Sequence, residues 1–307
     1  MSSNALRWAR LLPLIVAAAP LVAQGVSTQL AGRVLNREGS AVSAATVVIR
    51  STETGFVRTV QTDENGRYVA PLLPVGAYSV TVSKAGFQTA SNIRLNLSLG
   101  DSAPLVVRLA PETGAVVEVI ATSAQVDTER ATSATLLQTE ELKELPLIGR
   151  RWDNFAYLTP MVSTSSRGDL AIAGQRGVNT TTTVDGAGYN SSFFAGTLGN
   201  EAGGTPYTMS VEAIREFQVI TDGASAEFGR MGGGYLNAIT KSGTNDFSGS
   251  LFYYERPQGL TANSHLTGDP VDDFTNRQYG FSVGGPIIAD KLFYFVSGDF
   301  QRDSRPV

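Results

Sequence analysis

The stretch "YGFSVGGPIIADKLFYFVSGDF", residues 279–300, narrows the possible folds more than any other part of the chain. Two runs of alternating apolar and polar or small residues flank a Gly-Pro step and an Asp-Lys pair, and a period of two is that of a pleated strand with distinct faces. Tyr279, Phe281 and Val283 on the first run and Leu292, Tyr294 and Val296 on the second would share one continuous apolar face. A sheet edge bearing such a face carries unpaired backbone donors and acceptors, so a partner must cover it or the strands must belong to a larger closed sheet. A third run of the same kind, "FSGSLFYYE", precedes them. Each of the three is close to the roughly 9–11 residues that a tilted strand needs to cross a bilayer, and their aromatics suit the interfacial girdles of a membrane barrel.

Composition agrees with a β protein. The chain has 307 residues, 42% hydrophobic and only 17% charged, which excludes wholesale disorder. Its 32 glycines and many Ser/Thr/Val-rich runs favour strands over helices. The net charge of -4 comes with no basic cluster, so nucleic acid is excluded as a partner. The chain has no cysteine and a single histidine, His265, in the polar run "LTANSHLTGDP". That removes disulfides, thiolate metal sites, cysteine nucleophiles and any Ser/His/Asp triad with sequence support. No metal site, cofactor or catalytic residue is expected, and the protein is read as a non-enzyme.

Residues 1–25 read as an export signal. Arg7 and Arg10 form a basic start, "LLPLIVAAAPLV" an apolar middle, and "AQG" a small-residue cleavage site, with cleavage after Ala23 or Gly25. The apolar run is shorter than the about 20 residues of a spanning helix and holds two prolines, Pro13 and Pro20. No later stretch is apolar for long enough either, so a membrane role falls to strands.

Residues 26–110 alternate β-branched runs with turn signals, from "QLAGRVLN" through "GAYSVTVSK" to "APLVVRLA". Seven closely spaced strands predict a small antiparallel sandwich. Asp63-Glu64-Asn65-Gly66 supplies hairpin chemistry, and Pro74-Val75-Gly76 turns the chain ahead of Tyr78. Asp63 and Glu64 read as turn residues in preference to a calcium or partner contact. "GRVLNREGSAVSAATVVI", "TDENGRYVAPLLPVGAYSVTV" and "KAGFQTA" resemble the carboxypeptidase regulatory-like, transthyretin-like sandwich. That domain accompanies carboxypeptidases and carries no zinc ligand or nucleophile, so the resemblance implies no peptidase activity.

Residues 111–125, "PETGAVVEVIATSAQ", begin with Pro and Gly and continue as an extended run. This composition fits a linker able to add itself as a strand to another protein's sheet, and equally the first strand of the next domain. Residues 126–242 read as mixed α+β. "TEELKEL" is helix-like with a Thr139 cap, and "PYTMSVEAIREFQVI" joins a short helical segment to a strand. In "AEFGRMGGGYLNAITKSGTN", Gly229, Gly232, Gly233 and Gly234 precede a strand and Lys241 comes late, which is not the order of a phosphate-binding loop.

"LKELPLIGRRWDNFAYLTP", "IAGQRGVNTTTTVDGAGYN", "VEAIREFQVITDGASAEFGRMGGGYLNAITKSGTNDFSGSLFYYER" and "QYGFSVGGPIIADKLFYF" resemble the plug and first barrel strands of TonB-dependent outer-membrane receptors. The Oar-like group, with a regulatory-like sandwich ahead of the plug, is the nearest resemblance, and it extends from about residue 26 to the last residue. It implies an outer-membrane receptor with its N-terminal domain in the periplasm, energised uptake of an unidentified solute, an energy-coupling TonB-type protein as partner, and outer-membrane lipid around the barrel. It also implies a coupling segment near the plug. "VVEVIATS" looks like such a box, with Val117, Glu118, Val119, Ile120 and Ala121 as its core, although Ile-Ala-Thr stands where Val-Thr-Ala is commoner in the family.

The expected organisation is therefore a signal peptide (1–25), a regulatory-like β-sandwich (26–110), a linker with a TonB-box-like segment (111–125), a plug domain (126–242) and the start of a β-barrel (243–307). Plugged transporter barrels have about 22 strands, and only about three can be drawn after residue 242, so the chain reads as C-terminally truncated. The competing reading is a secreted or surface-attached sandwich protein for adhesion, which leaves the glycine-rich run and membrane-length strands unexplained. Asp269, Asp272 and Asp273 in "TGDPVDDF" read as a solvated loop in preference to a calcium site.

Overall fold

The computed structural model describes residues 28–100, 104–112, 132–138, 141, 152–164, 170–191, 209–224, 229, 232–260, 262–263 and 275–304. The signal-like residues 1–25, the segment Val117–Ala121, the Thr139 cap, His265 and the three aspartates 269, 272 and 273 lie outside them. Of the helix-like "TEELKEL", only Glu141 is described. The fold is mainly β, as the sequence predicts.

The first seven strands are β1 (Thr28–Asn36), β2 (Thr46–Ser51), β3 (Val57–Gln61), β4 (Arg67–Leu73), β5 (Gly76–Ser83), β6 (Ala90–Leu97) and β7 (Leu105–Leu109). They form two sheets, ordered β4-β1-β7 and β3-β2-β5-β6. The period-two pattern buries one face of each. In β5 every second residue is buried, from Gly76 through Tyr78 and Val80 to Val82. These side chains meet Val34, Val47, Ile49, Leu73, Val107 and Leu109 in a core between the layers. The sandwich is not purely antiparallel: β7 returns from the second layer and pairs parallel to β1, from Gly32 opposite Leu105 to Asn36 opposite Leu109. Gly32 is where this is possible, since a Cβ there would run into the Leu105 carbonyl and the Tyr68 hydroxyl.

The turn at 63–66 is as the sequence predicts. Asp63 Oδ1 accepts the backbone N–H groups of Asn65 and Arg67 at 2.9 and 2.8 Å, and Gly66 takes the left-handed φ of 70° that the tight turn requires.

A second domain follows, with a five-stranded sheet built from β8 (Ser133–Gln138), β11 (Thr181–Val184), β12 (Ala187–Gly188), β13 (Ile214–Asp222) and β14 (Tyr235–Thr240), in the order β12-β11-β14-β13-β8. A small hairpin of β9 (Val162–Thr164) and β10 (Leu170–Ile172) lies beside it. Trp152 and Phe155, on a 3-10 helix over Trp152–Leu158, pack with Phe217, Val219 and Leu236 in a separate core. Trp152 meets the rings of Phe217 and Tyr189 edge-on, with centroids 5.9 and 6.0 Å apart. The helical part of "PYTMSVEAIREFQVI" is one 3-10 turn, Val211–Ala213, running directly into β13. In the glycine-rich run β14 begins at Tyr235, immediately after the glycines. A Cβ on Gly233 would meet the Gln175 side chain at 2.8 Å, and one on Gly234 would collide with Ile172. These glycines serve close packing.

Three long strands complete the chain: β15 (Ser248–Pro257), β16 (Thr275–Ile288) and β17 (Leu292–Ser304), forming an open antiparallel meander. Two of them are longer than the sequence runs suggest, with 14 residues in β16 and 13 in β17. The added residues 275–277 and 301–304 are polar at every position, so no alternation marks them, and backbone pairing carries the strands past the apolar part. Among the described residues no helix is long and apolar enough to cross a membrane.

Candidate functional site

Register fixes what each face of the three-stranded sheet carries. Tyr253, Tyr279 and Phe300 stand opposite one another, as do Leu251, Phe281 and Gly298, and then Gly249, Val283 and Val296. Tyr294 lies opposite Gly285 and Leu292 opposite Ile288, on the same side. The single apolar face expected for 279–296 therefore exists, and it is exposed: Leu251 is 88% accessible, and Val296 and Phe300 about half. Along β17 the step from Leu292 to Phe300 is roughly 26 Å at the rise of a strand, or about 20 Å once tilted, which is near the height of a lipid-facing band. Tyr279 stacks on Phe300, with centroids 5.5 Å apart, at one end of this band. Just beyond, Glu255 Oε1 accepts from Arg277 Nε at 2.8 Å and its Oε2 from the Tyr253 hydroxyl at 3.0 Å. The order is that of a membrane interface: aliphatic, then aromatic, then charged.

The opposite face mixes Ser250, Gln278, Ser282 and Asp299 with Phe252 and Phe295, and its polar part is covered by the 3-10 turn that precedes β13. Gln278 and Ser282 are buried. The Ser250 hydroxyl donates to Glu212 Oε2 at 2.9 Å and shares a hydrogen bond with Ser282 Oγ at 2.8 Å. The Ser210 hydroxyl donates to Asp299 Oδ2 at 3.1 Å, while Gln278 Nε2 donates to Asp299 Oδ1 at 3.2 Å. Ser210 also caps the 3-10 turn by accepting the Glu212 N–H. One turn thus presents a serine and a buried glutamate to the polar face of the sheet, and the carboxylates are matched by hydroxyl and amide donors, as burial of charge demands.

All three parts meet in a cleft of about 450 Å³ bordered by Glu53 of the sandwich, Arg215, Glu216 and Lys241 of the five-stranded sheet's domain, and Ser250 and Ser282 of the long strands. Arg215 Nη2 donates to both Glu53 carboxylate oxygens, at 3.0 and 2.9 Å. Glu216, almost fully buried, accepts the Leu99 N–H at 2.9 Å. At the tight β16–β17 turn, Asp290 and Asn245 exchange two hydrogen bonds of 2.9 Å, and the Asn245 N–H donates to the Glu53 carbonyl at 2.8 Å. Burial pushes the Tyr78 phenol, beside this junction, up to about 12; Arg215 lowers it and Glu53 raises it by smaller amounts. Burial likewise raises Tyr68 and Tyr235.

Ser210, Glu212, Glu53 and Arg215 were not distinguishable as site residues by motif. The available signal is the pair of carboxylates, Glu212 and Glu216, set among apolar residues in "SVEAIREFQVI", since a carboxylate in a buried strand requires a partner. Among the described residues no group of three or more His, Asp or Glu is placed to hold a metal.

Two of these parts match known protein families. Residues 29–110 match the carboxypeptidase regulatory-like domain, and residues 239–307 match an outer membrane beta barrel domain. The chain is similar to the TonB-dependent transporter Oar of Myxococcus xanthus, with 29% identity over 288 residues, covering 88% of this chain and 26% of that protein. It is also similar to the probable TonB-dependent siderophore receptor PirA of Acinetobacter baumannii, with 30% identity over 202 residues, covering 60% of this chain and 25% of that protein. The crystal structure of the siderophore receptor PirA from Acinetobacter baumannii aligns with 55% of this chain and 24% of its own, at 27% identity and a TM-score of 0.42. The chain spans about a quarter of the length of the curated relatives it matches.

Proposed function

We propose that this chain forms the periplasmic sandwich, the plug and the opening barrel strands of a TonB-dependent outer-membrane transporter that takes up an unidentified solute. The observation that carries this reading is the two-faced sheet β15–β17, with its apolar, aromatic-rimmed face exposed and its polar face hydrogen-bonded to Ser210 and Glu212. A soluble adhesion module has no use for a bare apolar face of this height, whereas a barrel wall around a plug needs both faces as they stand. An outer-membrane location is supported by the barrel-domain match and by both relatives. Those relatives are a transporter and a receptor, in keeping with a non-enzymatic role.

The working division is a signal peptide over 1–25, the sandwich over 26–110, a linker over 111–125, the plug over 126–242 and barrel strands from 243. Barrels of this class have short periplasmic turns and long extracellular loops. The β16–β17 turn spans Ala289–Lys291, the β15–β16 connection spans 258–274, and the sandwich touches the former through Asn245 and Asp290. The sandwich is accordingly assigned to the periplasm. In this reading a TonB-type protein adds a strand to Val117–Ala121 and supplies the energy for plug opening.

Fractionation of the epitope-tagged full-length protein tests the location: recovery in the outer membrane is expected, and recovery in the soluble periplasm without detergent overturns the reading in favour of the adhesion alternative.

A further inference from the structure

We infer that the sandwich braces β8, the edge strand of the plug sheet, so that this strand can leave its sheet only after the sandwich lifts off. Among the described residues β8 is hydrogen-bonded on one side alone, to β13, and an edge strand held by one ladder is the part of a sheet that opens most readily. Its Leu137 packs into the plug core. Leu136, pointing to the other side, packs instead on a small cluster of Val75 and Leu99 from the sandwich with Ile239 of β14. Gln138 Nε2 donates to the Ser98 hydroxyl at 3.2 Å. Glu216, directly opposite Gln138 on β13, accepts the Leu99 N–H. The Ser98–Leu99 segment therefore grips both members of the β8–β13 pair at the same rung, and Arg215 with Glu53 holds the next position along β13.

Chain order gives the brace its consequence. β7, an edge strand of the sandwich, ends at Leu109, and β8 begins at Ser133. A pull on the connection between them acts on two edge strands at once, one in each body. While the sandwich is docked, β8 is held by its own sheet and by the sandwich together; once undocked, the ladder to β13 and the packing of Leu137 in the plug core remain, and the grip of Val75, Ser98 and Leu99 is gone. The transport consequence rests on the reading of Val117–Ala121 as the coupling segment, whereas the brace rests only on the contacts above.

Amide hydrogen exchange measured by mass spectrometry on the full-length protein in detergent, wild type beside Leu99→Asp, tests it. Leu99 lies outside the sandwich's own core, so the substitution puts a charge into the interface and leaves that core intact. The expected result is exchange at 133–138 accelerated about tenfold or more, with 28–97 and 235–240 unchanged. Unchanged exchange at 133–138 overturns the inference. Equal acceleration at 133–138 and 235–240 also overturns it, because the whole plug sheet would then have loosened. Should Leu99→Asp accelerate exchange in 28–97 as well, Leu99→Ala is read by the same two criteria. Failure here leaves the transport reading standing, and loss of the coupling assignment leaves the brace standing.

Discussion

Tyr78 closes a turn of the sandwich beside the junction. Its hydroxyl donates to the Pro74 carbonyl at 2.6 Å, closing the turn that precedes its own strand. Because burial raises the folded phenol to about 12, the folded form keeps a proton that the unfolded chain releases near pH 10. The associated stability is fully present below pH 10 and is lost as pH rises from about 10 to about 12. Melting of the full chain across this range should show that decline, and Tyr78→Phe should make it shallower without removing it, since burial also raises Tyr68 and Tyr235, while costing about 1 kcal/mol at neutral pH for the lost hydrogen bond. Arg215→Ala should matter less. Its bond to Glu53 keeps side-chain exposures of 22% and 31%, and an ion pair that wet contributes about 0.2–1 kcal/mol. Thermal melts of both variants separate the two magnitudes.

At the scale of the element, the long strands solve a problem that their glycines create. Gly280 stands opposite Phe252, Gly284 opposite Phe295 and Gly298 opposite Phe281. In each case the ring lies where a Cβ would be, between 2.6 and 2.9 Å from that position. The aromatic covers backbone that glycine leaves bare, and this pins the register as well as filling the face. Gly298→Val should therefore displace the Phe281 ring and cost about 1–3 kcal/mol. Leu251→Arg tests the outer face by another route: a charge there should cost about 2–4 kcal/mol in a bilayer if the position lies near its midplane. Denaturant unfolding of the full-length protein in lipid vesicles checks both, and a neutral Leu251→Arg would mean that this face does not meet lipid.

Among the described residues a sandwich, a plug-like sheet and a membrane-type sheet meet at a polar cleft, with the apolar cluster of Val75, Leu99, Leu136 and Ile239 also joining the first two. If Val117–Ala121 couples the molecule to an energising partner, the pairing is made by backbone, and side chains tune only the fit. Val119→Pro should then abolish partner binding, because it removes a donor and fixes φ, while Val119→Thr should be mild. Pull-down with the TonB-type partner is to be read beside protein abundance and protease resistance. If proline lowers those as much as it lowers binding, the run is a structural strand and the coupling assignment fails. The sandwich core closes on itself, so residues 26–110 expressed alone should unfold in a single cooperative thermal transition.

Local pattern was enough for the β class, the 63–66 turn, the glycine run leading into a strand and the apolar face of 279–296, because a period of two and turn chemistry are written in neighbouring residues. The resemblance to TonB-dependent receptors was legible for the same reason: its motifs are contiguous. Pattern did not reveal that β7 would pair parallel to β1, since strand direction there depends on a crossover between layers. Nor did it single out Glu53, Leu99, Glu212 or Arg215. Glu53, Leu99 and Arg215 look ordinary among their neighbours, Glu212 stands out only as a carboxylate among apolar residues, and each meets a partner distant in the chain: Arg215 for Glu53, Glu216 for Leu99, Ser250 for Glu212. Burial decides the pairs of Glu212 and Glu216, because a carboxylate withdrawn from water must find its complement wherever the folded chain brings one within reach, whereas Glu53 and Arg215 stay partly wet.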